Sequence, residues 1–437
     1  MKKYIYISLT LLFCLHHVTS AQQKLTLQEC IDIALQNNRN IKEQQLNKQQ
    51  REIAYNQARA DLLPGVNASI GQSFVFGRSI GLDNTYQNTN SSQTSFNLSG
   101  DITLFDGLRM KHNIDARRAE LYASQADMEK VEDDIIMSVS TAFLQVLLNK
   151  ELLQIAEKQV ELTKENIKHR TELVHSGKLA QGELYELEAQ QAKEELKRIE
   201  AQNRLKLSLL DLAQIMEIEN FAALDVIVPD EKTLVAETDV LLSAEATYQG
   251  ALLHRPELKS VQFQMSRFEK EVKIAQSEYY PTLSFGASIG TGYYNMSQLE
   301  NKPFAEQFKN NMSNSLGFSL RIPIFNRLRV RNNVKNAKIA LENSRLLMDK
   351  TKLELRKRVE QAYYNAVAAK SRWSAAMKSE KASKEAYRFA QQKYENGRAT
   401  AYELFQAKNN VAQILSEQAQ AKYEYLFRLK ILEILKN

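Results

Sequence analysis

Apolar and polar residues alternate from Phe96 to Leu104, with Phe96, Leu98, Ile102 and Leu104 opposing Asn97, Ser99, Asp101 and Thr103. A period of two puts the apolar set on one face of a strand. Asp106 and Gly107 end the alternation, and from Leu108 the apolar period becomes seven. One track runs Ile114, Leu121, Met128, Ile135, Ala142, and a second runs Val139, Val146, Leu153, Val160, Ile167, Val174. Neither Pro nor Gly interrupts this stretch before Gly177. The pattern predicts a coiled-coil helix of roughly 65 residues, about 100 Å at 1.5 Å per residue, whose seam steps sideways between Ile135 and Val139.

The pattern predicts flanking elements. A helical stretch from about Leu25 to Leu63 stops at Pro64 and Gly65, and Val66, Ala68, Ile70, Phe74 and Phe76 then alternate with polar residues. A polar loop covers residues 77–93. The long helix spans about 108–175 and a return helix about 180–216, with a connector over 217–243. The programme then repeats over 244–437. Pro64 and Pro281 are 217 residues apart, as are Ala34 and Ala251. Phe105 and Phe325 are 220 apart, as are Gly177 and Gly397. The second repeat predicts strands at about 281–294 and 314–325 and helices at about 328–395 and 400–436, mirroring 65–77 and 94–105 in the first repeat, 22–216.

Residues 1–21 read as a secretory signal: Lys2 and Lys3, an apolar run from Ile5 to Leu15, then Thr19, Ser20 and Ala21. Cys14 lies inside the apolar run after Phe13 and reads as a passive signal residue. Removal of the signal leaves only Cys30, so no internal disulfide forms. No run of 18 apolar residues follows the signal. The net charge of +6 is spread over mixed faces such as Lys193, Glu194, Glu195, Lys197 and Arg198, which suits a solvated coiled coil and argues against nucleic acid.

Four strands, each apolar on one face and polar or glycine-rich on the other, match transmembrane barrel strands. A soluble sheet packed on helices is the other reading of the same alternation. In lipid the sheet edges must be paired, and four strands are too few to close. Copies must then share a barrel, two giving eight strands and three giving twelve. Asp101 and Arg321 occupy equivalent positions on the polar faces and are candidate lumen residues.

The ordered set of duplicated elements, the strand exits Leu104–Gly107 and Pro323–Asn326, and the turns at Gly177 and Gly397 resemble the TolC-like outer-membrane efflux channels of Gram-negative bacteria. The resemblance implies a mainly α protein with a transmembrane β part. It implies a homotrimer with one twelve-stranded barrel in outer-membrane lipid and a helical tunnel in the periplasm, conducting passively for a periplasmic adaptor, or membrane fusion protein, and an inner-membrane pump. Ser176, Gly177, Lys178, Leu179, Asn396, Gly397, Arg398 and Ala399 would form the tips that dock the adaptor. Glu403, with Glu183 and Glu186 as first-repeat counterparts, would stand at the tunnel entrance. Glu403 in three copies would make a cation-favouring ring. The same residues also suit a helix start, where acids complement the dipole.

No catalytic constellation is evident. His112, His169, His175 and His254 are scattered, there is no HExxH or paired-Cys spacing, and no metal or cofactor is expected. The rival readings are a structural or adhesive coiled-coil protein of the cell surface and a secreted binding protein, neither of which needs amphipathic strands in copied pairs.

Overall fold

The computed structural model describes residues 23–80, 84–88, 90–177, 180–219, 224–229, 243–297 and 300–436. The signal segment with Cys14, most of the connector, and Lys178 and Leu179 lie outside them. The elements are β1 (Gln23–Leu25), α1 (Leu27–Asn37), α2 (Arg39–Ala60), β2 (Gly65–Val75), β3 (Arg78–Ile80), β4 (Tyr86–Asn88) and β5 (Ser91–Phe105). Then come α3 (Arg109–His175), α4 (Gln181–Ile215), β6 (Leu224–Val226), α5 (Ala244–His254), α6 (Pro256–Ser277) and β7 (Thr282–Met296). The chain closes with α7 (Phe304–Asn310), β8 (Ser313–Arg321), α8 (Arg329–Glu395) and α9 (Ala401–Lys436). Helices α3 and α8 have 67 residues each, about 100 Å of α-helix.

The chain divides into two compact units that cut across the sequence repeats. One unit takes Met1–Gln44, Met128–Pro256 and Lys352–Asn437, and the other takes Gln45–Asp127 and Glu257–Thr351. The repeat is therefore not a domain. Each long helix contributes to both units, because 67 residues exceed what one compact core can cover.

In the first unit, Cys30, Ile31 and Ala34 of α1 pack with Val139, Phe143 and Val146 of α3, Leu212 and Met216 at the end of α4, Val226 of β6 and Leu426 of α9. The seam shift between Ile135 and Val139 falls inside this core. β1 and β6 pair in parallel, and Lys150 of α3 binds the end of that ribbon through Asp225, at 2.5 Å, and the Val226 carbonyl.

The opening helix is broken where the pattern predicts continuity. Asn38 leaves helical backbone with ψ 127°, and its Oδ1 accepts from the Asn40 N–H. The second repeat breaks at Arg255, which precedes Pro256 and is biased away from helical backbone by the proline ring. Both breaks reach for the last helix of their own repeat. Asn38 Nδ2 donates to the Ile215 carbonyl at 3.4 Å, and Arg255 donates to the Ile434 carbonyl at 2.9 Å and pairs with Asp133 at 3.0 Å.

The second unit holds an antiparallel sheet in the order β2-β5-β7-β8. Three differences from the sequence pattern appear around it. β8 stops at Arg321 rather than near Phe325, because Pro323 has no N–H to continue a ladder. Residues 77–93 are not all loop: β3 and β4 form a short hairpin and β5 begins at Ser91. The segment between β7 and β8 folds into α7.

Candidate functional site: the sheet faces and the helix turns

The sheet register extends the alternation of single strands into continuous faces. Ala68, Leu98, Ile289 and Asn314 align in one row, Val66, Gly100, Ala287 and Leu316 in the next, then Ile102, Phe285 and Phe318. The opposite face carries Asn67, Ser99, Ser288 and Ser315, and Gly65, Asp101, Gly286 and Gly317. The apolar face is bare, with Ile70 74%, Leu316 77% and Phe318 71% exposed. An uncovered apolar surface of this extent marks a contact with lipid or protein. β5 and β7, at 15 residues, exceed the roughly 9 to 11 that a barrel strand needs to span a bilayer.

Asp101 and Arg321 share the polar face but not a row. Asp101 aligns with Gly286, whereas Arg321 aligns with Thr282, four residues nearer the helices. Arg321 lines a groove of about 460 Å³ at the foot of the sheet with Asp106, Arg109, Glu278 and Arg329.

Strand-to-helix exits repeat the same backbone. Gly107 and Leu108 have φ of 69° and 67°, and Arg327 and Leu328 have 54° and 63°. At the first exit, Asp106, just before Gly107, caps α3 by accepting from the Met110 N–H at 3.1 Å.

In the first unit, α8 ends in a Schellman turn. Gly397 adopts φ 67°, its N–H donates to the Tyr394 carbonyl at 3.0 Å, and the Arg398 N–H donates to Lys393 at 2.8 Å. Gly177 ends α3 with φ 73° and an N–H donated to Val174 at 2.9 Å. Ser176, Asn396 and Arg398 are exposed beside these glycines, and Ala399 is half-buried. The pattern of residues gave no reason to single out Tyr394, yet it ties the two turns together. Its hydroxyl donates to Glu183 Oε2 at 3.2 Å, and the Arg170 guanidinium sits 4.4 Å from its ring centroid. Burial pushes the phenol above its ordinary pKa, with Arg170 opposing.

Glu403 is the third residue of α9 and closes a capping box with Thr400: the Thr400 N–H donates to its carboxylate at 2.8 Å, and the Glu403 N–H donates to Thr400 Oγ1 at 3.2 Å. Glu403 and Glu186 line one groove of about 1030 Å³ with Lys193, Gln406 and Asn410. Glu183 faces Tyr394 instead. Among the described residues no group of His, Cys, Asp and Glu could hold a metal ion, and no helix is long and apolar enough to cross a membrane.

The sequence profile of the outer membrane efflux proteins matches residues 30–216 and 247–433, one match per repeat. The chain belongs to that family. Its members are TolC-like channels, and this chain is an outer-membrane efflux channel protein whose helical part lies in the periplasm. Among relatives, "Toxin and drug export protein A" of Aggregatibacter actinomycetemcomitans is 23% identical over 408 residues, 92% of this chain and 83% of that protein. The pyoverdine export outer membrane protein OpmQ of Pseudomonas aeruginosa is 30% identical over 289 residues, 63% of this chain and 56% of that protein. The crystal structure of the outer membrane protein VceC of Vibrio cholerae superposes with a TM-score of 0.76 at 15% identity, covering 94% of this chain and 96% of that one. The amphipathic sheet is accordingly a portion of barrel wall.

Proposed function

We propose that three copies of this chain close one twelve-stranded barrel and form the exit duct of a tripartite export system, taking cargo from a periplasmic adaptor and an inner-membrane pump. The observation that carries this reading is the four-stranded sheet with one continuous bare apolar face and two open edges, β2 and β8. Unpaired backbone groups cost several kcal/mol each in lipid, so β8 of one copy must pair with β2 of the next. Twelve strands leave room for a lumen, whereas eight fill with side chains. The polar face, with Asp101 and Arg321, then lines the lumen.

The turns at Gly177 and Gly397, with Lys178 and Leu179 beside the first, are the tips that meet the adaptor. Tyr394 and Glu183 hold α8 to α4 there, next to the entrance groove of Glu186 and Glu403. Export of a toxin, a drug or a siderophore is named for the relatives; for this chain the cargo class is set by the pump it serves. The test is electron microscopy of the detergent-extracted mature protein. Three-fold end views with an open centre and a stem of about 100 Å are expected. A monomer, a two-fold particle or a solid rod would overturn the duct.

A further inference from the structure

β7 outruns its neighbour. Its register with β8 ends at Gly290 opposite Ser313, leaving Thr291–Met296 paired with β5 on one side and, among the described residues, with no strand on the other. Side-chain amides occupy that edge in place of a strand. Gln307 accepts from the Tyr294 N–H and donates to the Tyr294 carbonyl, both at 2.9 Å. Asn311 donates to the Gly292 carbonyl at 2.7 Å, and Asn301 accepts from the Met296 N–H and donates to its carbonyl, both at 2.9 Å. Gln307 is buried and also donates to the Lys302 carbonyl at 2.8 Å. A seven-residue helix is too short to persist by itself. These bonds to the strand edge hold α7 where it is.

They also set which way α7 faces. Phe96 and Tyr293 belong to the apolar face of the sheet, since Phe96 aligns with Ile70 and Thr291, and Tyr293 aligns with Thr94. Phe304 and Phe308 of α7 pack against them, with centroid distances of 5.5 Å for Tyr293 to Phe304 and 5.6 Å for Phe96 to Phe308. Phe304 nevertheless stays 49% exposed and continues the bare face. Lys302, just before α7 and paired with Glu306 at 2.6 Å, and Lys309 in its last turn have exposed side chains. Phe74 and Phe76 stack at the same end of the sheet, whereas Tyr279, Tyr280 and Phe325 are exposed where the sheet meets its helices. Aromatic residues at both ends of an apolar strand band are the arrangement of a membrane-spanning wall.

We propose that α7 is an interfacial anchor: it lies on the lipid-facing side of the wall, with Phe304 and Phe308 set at the boundary of acyl chains and headgroups of the outer leaflet, and Lys302 and Lys309 reaching into the headgroup layer. The occupant is lipid because the exposed rings continue the face that the barrel reading, on which this inference rests, gives to lipid. The edge beside α7 is already hydrogen-bonded, so it offers a second copy no ladder to join. The long lysine side chains suit a position where the stem is in apolar surroundings and the ammonium is in the polar layer.

The test uses the full mature protein in vesicles. Trp373, the one tryptophan, is replaced by Phe, which keeps a ring stacked on Tyr425. Into that background go Phe304→Trp and, separately, Leu316→Trp as a control on the sheet face, each checked for the oligomeric size of the parent. Phospholipids brominated near the headgroup or near the chain end serve as quenchers. The Phe304→Trp protein is expected to emit at shorter wavelength than free tryptophan. Its emission should fall more with bromine near the headgroup than near the chain end, and aqueous iodide should have little effect. Quenching by iodide with no response to bromine, or by neither, would place the ring in water or against protein and overturn the anchor. The control separates the two readings. If Leu316→Trp is quenched by bromine and Phe304→Trp is not, the anchor alone fails; if neither is, the membrane wall fails with it.

Discussion

The Lys408 ammonium lies 3.2 Å from the Glu194 carboxylate, and both side chains are only 5% exposed. Thr163 joins them, donating to Glu194 at 2.5 Å and contacting Lys408, while Lys408 also donates to the Gln159 carbonyl at 3.2 Å. The cluster ties α9 to α3 and α4. Burial pushes the Lys408 pKa down from the usual lysine range, and Glu194 opposes that shift.

Removing one member of a buried ion pair strands the other. Lys408→Met or Glu194→Leu should therefore each destabilise the helical unit by about 3–5 kcal/mol. The double variant Lys408→Met with Glu194→Leu should recover most of the loss, since an apolar pair of similar volume is often neutral or better. Thermal unfolding followed by helical circular dichroism checks the order. Additive losses in the double variant would show that the two groups do not act as a pair.

The two strand exits share a left-handed backbone but differ in side chain. A Cβ at Gly107 would come within 2.8 Å of the Ser277 carbonyl and of Tyr280 Cβ, so Gly107→Ala should disturb the α6 end and lower the thermal midpoint. Arg327 holds the matching conformation at φ 54° with a side chain present. Arg327→Gly should relieve about 1 kcal/mol of left-handed strain, less the entropy glycine loses. Equal responses at the two sites would refute the asymmetry.

Glu403 offers a substitution that separates charge from capping. Glutamine also serves at the third position of a capping box, so Glu403→Gln should leave α9 intact while removing three charges from the proposed ring. Bilayer recordings should show a lower cation-to-anion permeability ratio with unchanged thermal stability. A constant ratio would confine Glu403 to the helix start.

Tyr394→Phe removes the hydroxyl that binds Glu183 but keeps the ring under Arg170. If this contact holds the tips together, single-channel conductance should rise. Unchanged conductance together with unchanged melting would leave the hydroxyl without a role in closure.

Cys30 is fully buried, and desolvation with help from the Glu29 charge pushes its thiol up to about 12. The native protein should resist thiol-directed alkylation at pH 8 and label only on unfolding. The linkage has a definite sign. The unfolded thiol ionises near pH 8.5 while the folded one keeps its proton, so this contribution is complete below that pH and is lost as pH rises toward 12. Cys30→Ala should flatten that part of the stability profile, and a slope that persists in the variant belongs to other groups.

Periodicity and punctuation by themselves determined the repeat, the two 67-residue helices and the alternating strands, because a period of two or seven and the positions of Pro64, Gly177, Pro281 and Gly397 are local properties of the chain. The apolar pattern runs through the breaks at Asn38 and Arg255 as one continuous helix, although the ring of Pro256 is a local signal for the second of them. What only the tertiary structure decided are relations between distant residues. Glu194 reads as part of a solvated face, yet three helices close over it and bury it against Lys408. Tyr394 looks like any helical tyrosine until α4 brings Glu183 to it. α7 has no periodic signal, since seven residues are under two turns, and Gln307 becomes an anchor only because β8 ends six residues short of β7. Register did what alternation could not: it aligned the apolar residues of four strands on one side and so made a surface that water does not suit.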